Sequence, residues 1–298
     1  MRVYKIVERR NIFFAISLLI ILAGLVSSMI FGLNLGIDFA GGTLMQINIG
    51  KPYTSQEIYD TLAKLNIKPD SIQQAGDNKE QVIIKLKSDI SDELRRNIFE
   101  AFKQKYNLKD EDLLSVQKVG PSIGRELKMQ ALLGAAIASL GILAYVAWRF
   151  EYKLAVSAII ALIHDLLITF SVYALFKIPI NSTFVAAMLT VLGYSINDTI
   201  VIFDRIRENL KLNKKMDIAE LINLSITQTM TRSINTVLTV IIALVALHIF
   251  GSESIRDFTL PLLVGIVSGA YSSIFIASPI WYIWVRNNRG KKGFIKTA

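Results

Sequence analysis

Six long apolar runs constrain this chain more than any other feature of its sequence. A helix needs about 20 apolar residues to cross the hydrocarbon core of a bilayer, and it satisfies its own backbone hydrogen bonds where lipid cannot. We therefore predict an α-helical multi-pass membrane protein with six transmembrane helices, over residues 12–31, 123–148, 154–176, 180–203, 225–250 and 259–285. The first run exceeds the apolar core of a cleaved signal peptide, so we expect it to stay as an anchor.

The composition excludes several classes of function. The chain has no cysteine and only two histidines, which excludes disulfide scaffolds, thiol nucleophiles and cysteine-held metals. No P-loop motif for nucleotide phosphates occurs. The net charge is +9, yet residues 31–128 carry 14 basic and 14 acidic side chains, so the one long polar segment is neutral. We therefore expect no nucleic-acid partner, no cofactor and no metal.

Basic residues indicate how the chain crosses the membrane. Sixteen Lys and Arg lie in segments that share one side, residues 1–11, 149–153, 204–224 and 286–298. The two short loops on the other side hold only Lys177 and Arg256. Because cytoplasmic loops carry the excess of Lys and Arg, we predict a cytoplasmic N-terminus (1–11), loop (204–224) and C-terminus (286–298). Residues 32–122 then lie outside.

The outer segment has the pattern of a small α+β domain. Residues 43–49 alternate between apolar and polar side chains, which is strand spacing. Thr54 and Glu57 form a capping-box pair at the start of one helix, and Ser91 precedes a second. Further strands are predicted over 71–74, 81–86 and 113–119. The order βαββαβ is that of a ferredoxin-like domain, placed between the first two spans.

Asp198 and Arg232 interrupt the fourth and fifth spans, where an ionisable side chain costs about 2.5–3.5 kcal/mol. Both lie about 10 Å from the cytoplasmic ends of consecutive antiparallel helices, so their charges meet if the helices touch. Asn197 and Thr236 extend polar stripes beside them. A structural ion pair that fixes helix register is one interpretation. Because each member lies within a polar stripe, we favour proton or ion coupling.

His164 and Asp165 lie near the middle of the third span. Adjacent helical residues point about 100° apart, so both cannot serve one small site from one face, and at least one should face another helix or a cavity. For this pair we favour hydrogen bonding between helices over proton transfer. In the sixth span, Gly265 and Gly269 are spaced as in a helix-packing face, with Ser268 beside them.

The segment GIDFAGGT, residues 36–43, follows the first span. Gly41 and Gly42 permit positive φ and close backbone approach. Asp38 is placed to accept hydrogen bonds from the turn that they form. Gly36 begins the motif, whose spacing does not match a dinucleotide fingerprint.

These motifs resemble those of SecF proteins, protein-export membrane subunits of the SecD/SecF family within the resistance–nodulation–division superfamily. The resemblance covers nearly the whole chain and includes GIDFAGGT (36–43), ALIHD (161–165), GYSINDTIVIFDRIREN (193–209) and TRSINT (231–236). It implies a role in the late stage of preprotein export, driven by the proton-motive force. It also implies that Asp198 and Arg232 take part in proton movement.

The resemblance also implies partners and a location. The expected partners are SecD as a second six-helix body, the Sec translocation channel, YajC-type accessory subunits, the translocating preprotein and membrane lipid. Independently of the resemblance, six helices with one acidic site are half of a common two-repeat transporter plan. The expected location is the bacterial inner membrane, with the 32–122 domain in the periplasm.

Two other functions stay open. One is half of a proton-coupled small-molecule exporter, although an outer domain of this size offers no obvious drug pocket. The other is a structural subunit that stabilises the translocation channel without moving protons. An enzyme is not expected, because the His164–Asp165 pair has no nucleophile at a recognisable spacing.

Overall fold

The computed structural model describes residues 3–76, 80–86, 90–149, 151–251 and 253–289. In chain order its α-helices are α1 (Arg10–Phe31), α2 (Ile37–Ala40), α3 (Ser55–Ala63), α4 (Asp92–Tyr106), α5 (Pro121–Arg149), α6 (Tyr152–Phe176), α7 (Ser182–Leu212), α8 (Ile218–Phe250), α9 (Glu253–Ser272) and α10 (Ser278–Arg289). A π-helical segment, Ser273–Ala277, joins α9 to α10. Residues 1–2 and 290–298, parts of the predicted terminal segments, lie outside the described residues.

Six helical segments in the described part of the chain are long and apolar enough to cross a membrane, as the sequence predicted. They are α1, α5, α6, α7, α8 and the continuous α9–α10 segment. Helix replaces most of the loop predicted at 204–224, because α7 extends to Leu212 and α8 already begins at Ile218. An α-helix of 31 residues is about 46 Å long and exceeds the hydrocarbon core, so its polar end continues beyond the apolar run.

The sixth span lies at the centre of the helix bundle. α9 packs against α6, α7 and α8, while α1 packs mainly against α6, and α5 lies at the edge with most of its surface exposed. Close contact between α9 and α7 depends on glycine. A Cβ atom on Gly265 would overlap the Val191 side chain, and one on Gly269 would lie 2.9 Å from Cβ of Ser195. The Gly265–Gly269 spacing is therefore a packing face, as predicted.

The outer domain contains one antiparallel sheet in the order β2-β3-β1-β4. Its strands are β1 (Gly42–Asn48), β2 (Ser71–Ala75), β3 (Gln81–Leu86) and β4 (Leu113–Val119). β3 lies between β1 and β2, which is the split arrangement of a ferredoxin-like fold. The predicted βαββαβ order is confirmed. The core is formed by fully buried apolar side chains of the sheet and of α3 and α4, among them Met45, Ile47, Ile58, Ile84 and Phe102.

Both predicted helix caps of the outer domain are present. The Thr54 hydroxyl accepts a hydrogen bond from the Glu57 backbone N–H at 3.4 Å and donates one to the Glu57 carboxylate at 2.9 Å. The latter hydrogen bond is the main reason that the pKa of Glu57 lies below its usual value. Ser91 accepts from the Leu94 N–H at 3.2 Å at the start of α4. These caps fix where the two helices begin.

We predict that Gly265→Ala destabilises the helix bundle by about 1–3 kcal/mol, because the added methyl group overpacks the α7–α9 contact. The measurement is thermal unfolding of the purified protein in detergent. Gly134→Ala in α5 is the matched control, since a Cβ atom at that position would contact no other part of the described structure within 4 Å. Equal stability of the two variants would contradict the tight α7–α9 contact.

Candidate proton-coupling site

Asp165 is the centre of a hydrogen-bond network in the bundle. Its side chain on α6 is completely buried. One carboxyl oxygen, Oδ2, accepts from Ser195 of α7 at 2.6 Å and from Ser272 of α9 at 2.8 Å. The other, Oδ1, accepts from Ser268 of α9 at 2.8 Å. A single carboxyl group thus joins three helices, and both of its oxygens are hydrogen-bonded.

His164 contacts the same carboxyl group. Its Nδ1 lies 3.1 Å from Asp165 Oδ1, and its Nε2 lies 2.8 Å from the Ser17 hydroxyl of α1. The ring also stacks on Tyr271, with centroids 6.0 Å apart. The two side chains thus face different helices, His164 towards α1 and Asp165 towards α7 and α9, and they also contact each other. Although the side chains leave the helix in different directions, the imidazole reaches back far enough to touch the adjacent carboxyl.

The hydroxyl network continues into the π-helical segment. The Ser273 hydroxyl lies 2.8 Å from that of Thr199 on α7, and it also donates to the Ser195 carbonyl at 3.5 Å. Ser195 was not predicted as a site residue, and Ser268 was predicted only as part of a packing face. The one available signal was the four-residue spacing of Ser268 and Ser272, which puts both hydroxyls on one side of the helix.

Asp198 lies three residues after Ser195 on α7, but it faces α8 and has a different environment. It is buried, 7% exposed. Its Oδ2 atom has no hydrogen-bond partner among the described residues. Ser233 of α8 interacts with this carboxyl, yet the Ser233 hydroxyl also lacks a partner that satisfies hydrogen-bond geometry. Asp198 is therefore a buried acid whose hydrogen-bonding capacity is incompletely used.

Arg232 does not form the expected ion pair with Asp198. Among the described residues, no nitrogen of Arg232 lies within 4.0 Å of the Asp198 carboxylate. The guanidinium group contributes a longer-range electrostatic interaction and is itself exposed. Adjacent helical positions differ by about 100°, so the inward direction of Ser233 turns Arg232 outward. The helices do touch, and the Tyr194 hydroxyl donates to the Thr236 carbonyl at 3.0 Å.

A strip of polar side chains is exposed along the outer edge of the α7–α8 contact. We call it the polar strip, and it consists of Thr190, Asn197, Arg232, Asn235 and Thr239. Of the two predicted supporting residues, Asn197 lies in this strip, whereas Thr236 is half-buried beside it. The structure thus places the predicted residues along one seam, with Asp198 on its buried side and Arg232 on its exposed side.

The GIDFAGGT motif binds the outer end of α7. The Gly36 N–H donates to the Ile180 carbonyl at 2.8 Å, and Asp38 Oδ2 accepts from the Ser182 N–H at 2.9 Å. Asp38 was expected to accept from its own turn. It accepts from the first residue of α7 instead, because the chain passes beside the α6–α7 loop. Gly41 has φ +79°, and Gly42 has φ +153° with no room for a Cβ next to the Leu86 carbonyl.

Fold and site together define a class of protein. It is a six-helix integral membrane protein with a ferredoxin-like outer domain and two buried acidic groups within the bundle. Within the described ranges, no three His, Asp or Glu side chains are grouped so that they could hold a metal ion.

Comparison with known proteins identifies the family. The model of the C-terminal region of the protein export membrane proteins SecD and SecF matches residues 98–287, and the model of the SecD/SecF GG motif matches residues 26–52. The chain belongs to the SecD/SecF family of protein export membrane proteins.

Several relatives and solved structures are similar over most of this chain. Protein translocase subunit SecF of Thermobaculum terrenum is 39% identical, covering 94% of this chain and 93% of its own. Protein translocase subunit SecDF of Bacillus subtilis is 40% identical over 93% of this chain, which spans only 37% of that longer protein. A crystal structure of the translocon-associated membrane protein SecDF from Thermus thermophilus superposes with TM-score 0.82 at 33% identity, over 96% of this chain and 39% of its own.

We predict that Ser195→Ala destabilises the bundle by about 1 kcal/mol or more, because it removes a 2.6 Å hydrogen bond to a fully buried carboxyl. Thr190→Ala on the same helix is the control. Thr190 is exposed and donates only to the Ala186 carbonyl of its own helix, so its loss should stay within about 0.5 kcal/mol. Thermal unfolding in detergent compares the two, and an equal change would argue against the Asp165 network as a bundle-stabilising element.

Proposed function

We propose that this chain is a SecF-type subunit of the Sec protein translocase and assists late-stage export of preproteins by using the proton-motive force. In this proposal Asp198 binds and releases the transported proton. Arg232 supplies the positive charge that changes the affinity of Asp198 for it. The names of the relatives support export, and the different surroundings of the two buried acids support this assignment of the proton site.

The difference between Asp165 and Asp198 carries the proposal. Asp165 has hydrogen bonds to both oxygens from α7 and α9, and this suits a group that holds helices together. Asp198 keeps one buried oxygen that has no hydrogen-bond partner among the described residues. An unsatisfied polar atom inside a bundle is costly, and it persists where function requires it. A proton is the smallest ligand that such an oxygen can accept.

Movement between α7 and α8 provides a means of exchange. A nearby cation favours the ionised form of a carboxyl group, whereas an apolar environment favours the protonated form. Arg232 already interacts with Asp198 at longer range. A modest helix shift therefore changes the balance between the ionised and protonated forms of Asp198. One elementary charge crossing 100 mV supplies about 2.3 kcal/mol, which biases a conformational equilibrium by about fiftyfold.

The polar strip supports a second helical body as partner. Arg232 and Asn235 are exposed at the level of the spans, where lipid provides no hydrogen bonds. Covering them with polar groups of another protein removes that cost. We assign this role to SecD, because this chain spans only part of the longer SecDF relatives. The translocation channel, YajC-type subunits, lipid and the preprotein complete the proposed surroundings.

The proposed location is the bacterial inner membrane with both termini in the cytoplasm. The segments assigned to the cytoplasm hold sixteen Lys and Arg, whereas the two short outer loops hold two, and this difference supports the orientation. It places the ferredoxin-like domain in the periplasm, on the side where an exported polypeptide emerges.

Asp198→Asn should preserve the fold and abolish the gradient-dependent part of export, because the amide matches the carboxyl in shape but does not bind and release a proton. The measurement is preprotein export into inverted membrane vesicles that contain the variant with SecD, with and without an imposed proton gradient. Asp60→Asn, an exposed acid on α3, controls for loss of one negative charge.

Full gradient-dependent stimulation in Asp198→Asn vesicles would discard the proton role. Stimulation that is equal with and without the gradient in the unsubstituted complex would instead support the structural-subunit function, in which export improves without proton movement. Proton flux measured in the same vesicles separates these two functions directly.

Asn235→Trp should prevent association with SecD, because a bulky side chain in the polar strip blocks the proposed interface. Leu133→Trp in α5 is the control, since Leu133 is 59% exposed on an apolar surface that suits lipid. Co-purification of SecD with each variant provides the measurement. Normal recovery of SecD with Asn235→Trp would show that the polar strip is not the interface.

A further inference from the structure

The outer domain is held to the helix bundle at a second place besides its chain connections. At the start of the sixth span, Asp257 Oδ2 accepts from Gln73 of β2 at 3.4 Å and from Asn181 at 3.3 Å. The same oxygen lies 3.9 Å from the Lys85 ammonium group of β3. We call Gln73, Lys85, Asn181 and Asp257 the polar junction. One carboxylate oxygen thus joins two strands of the outer domain to the bundle.

The two outer-domain residues lie on the same face of the sheet. Ser71 pairs with Lys85 and Gln73 with Ile83, so Gln73 and Lys85 point away from the core that contains Ile84. Gln73 is only 7% exposed, although it is polar and lies on the sheet face that points away from α3 and α4. α9 packs against β2, and this contact explains the burial. The sheet face that the domain's own helices leave uncovered is therefore docked on the bundle at this point.

Asn181 links the polar junction to the helix that carries Asp198. Its Oδ1 accepts from the Phe184 N–H at 2.9 Å and caps α7, while its Nδ2 donates to Asp257. Asp198 lies sixteen residues beyond the first residue of α7, about 24 Å along the axis. A helix is stiff over this distance, so displacement near Asp198 also displaces Asn181. The motif residue Asp38 holds the same end of α7.

We propose that Asp257 is a positioning residue that couples movement of α7 to the outer domain through the polar junction. This inference rests on the proposed proton-coupled function. Proton exchange at Asp198 shifts α7, and the junction transmits the shift to β2 and β3, so that the outer domain moves with the helix. Because one oxygen serves all three partners, loss of Asp257 disconnects both strands from α7 at once.

Asp257→Ala tests the proposal in the complex with SecD in vesicles. We expect the gradient-dependent stimulation of export to fall about fivefold or more, while proton flux stays close to that of the unsubstituted chain. Amide hydrogen exchange in β2 and β3 should also increase. A purely structural role would lower flux and export together, and that result would overturn the proposal, as would unchanged export.

A chemical bridge tests the same junction without relying on one variant. The chain has no cysteine, so Gln73→Cys with Asn181→Cys provides the only thiol pair, and it joins β2 directly to the start of α7. This double variant should be uncoupled when its thiols are free. It should recover stimulation when a short cleavable thiol cross-linker replaces the lost contacts, and lose it again after cleavage. Gln56→Cys with Asp60→Cys, one turn apart on α3, is the control pair.

Bridged protein that stays uncoupled would overturn the proposal, because the coupling would then not pass through this contact. Failure of the underlying proton-coupled function gives a different result. In that case the unsubstituted complex itself shows no gradient-dependent stimulation.

Discussion

The fully buried carboxyl group of Asp165 is the interaction on which the helix bundle depends. Hydroxyl groups of α7 and α9 reach it from two sides, and His164 extends the network to Ser17 of α1. Lipid offers no water to replace these bonds, so the helices must present hydroxyls to one point. Because Ser195 of α7 donates to Asp165, the rotation of α7 about its axis is fixed. In this rotation Asp198 faces α8.

That orientation gives the two buried acids different surroundings. Asp165 is enclosed by donors within the chain, whereas Asp198 has an oxygen with no hydrogen-bond partner in the described part of the chain and lies beside an exposed polar strip. Arg232 is not bound to Asp198 in a direct ion pair. A cation at an exposed position can interact with a second protein as well as with Asp198. The site is thus buried on one side and exposed on the other, as the proposed interface with a second protein requires.

Much of the architecture was predictable from the sequence, and the reason differs between elements. The spans follow from run length, because lipid permits few other structures. The outer domain follows from period-two alternation and from caps at Thr54 and Ser91, which are local signals. The α7–α8 connection was not predicted, because polar helix ends that continue beyond the bilayer resemble a loop in composition. Asp38 was assigned to its own turn, since its partner Ser182 is distant in the sequence.

The sequence by itself determined six spans, the βαββαβ domain, the position of Asp198 and Arg232 within two of the spans, and the small-residue face of the sixth span. These depend on segment length, periodicity and the cost of charge in hydrocarbon, all of which act along one stretch of chain. Only the tertiary structure decided which acid is enclosed by hydroxyls, that Ser233 rather than Arg232 points toward Asp198, and that Asp257 joins the outer domain to α7. Rotation of each helix about its axis sets these contacts, and that rotation is fixed by packing among all of the helices together.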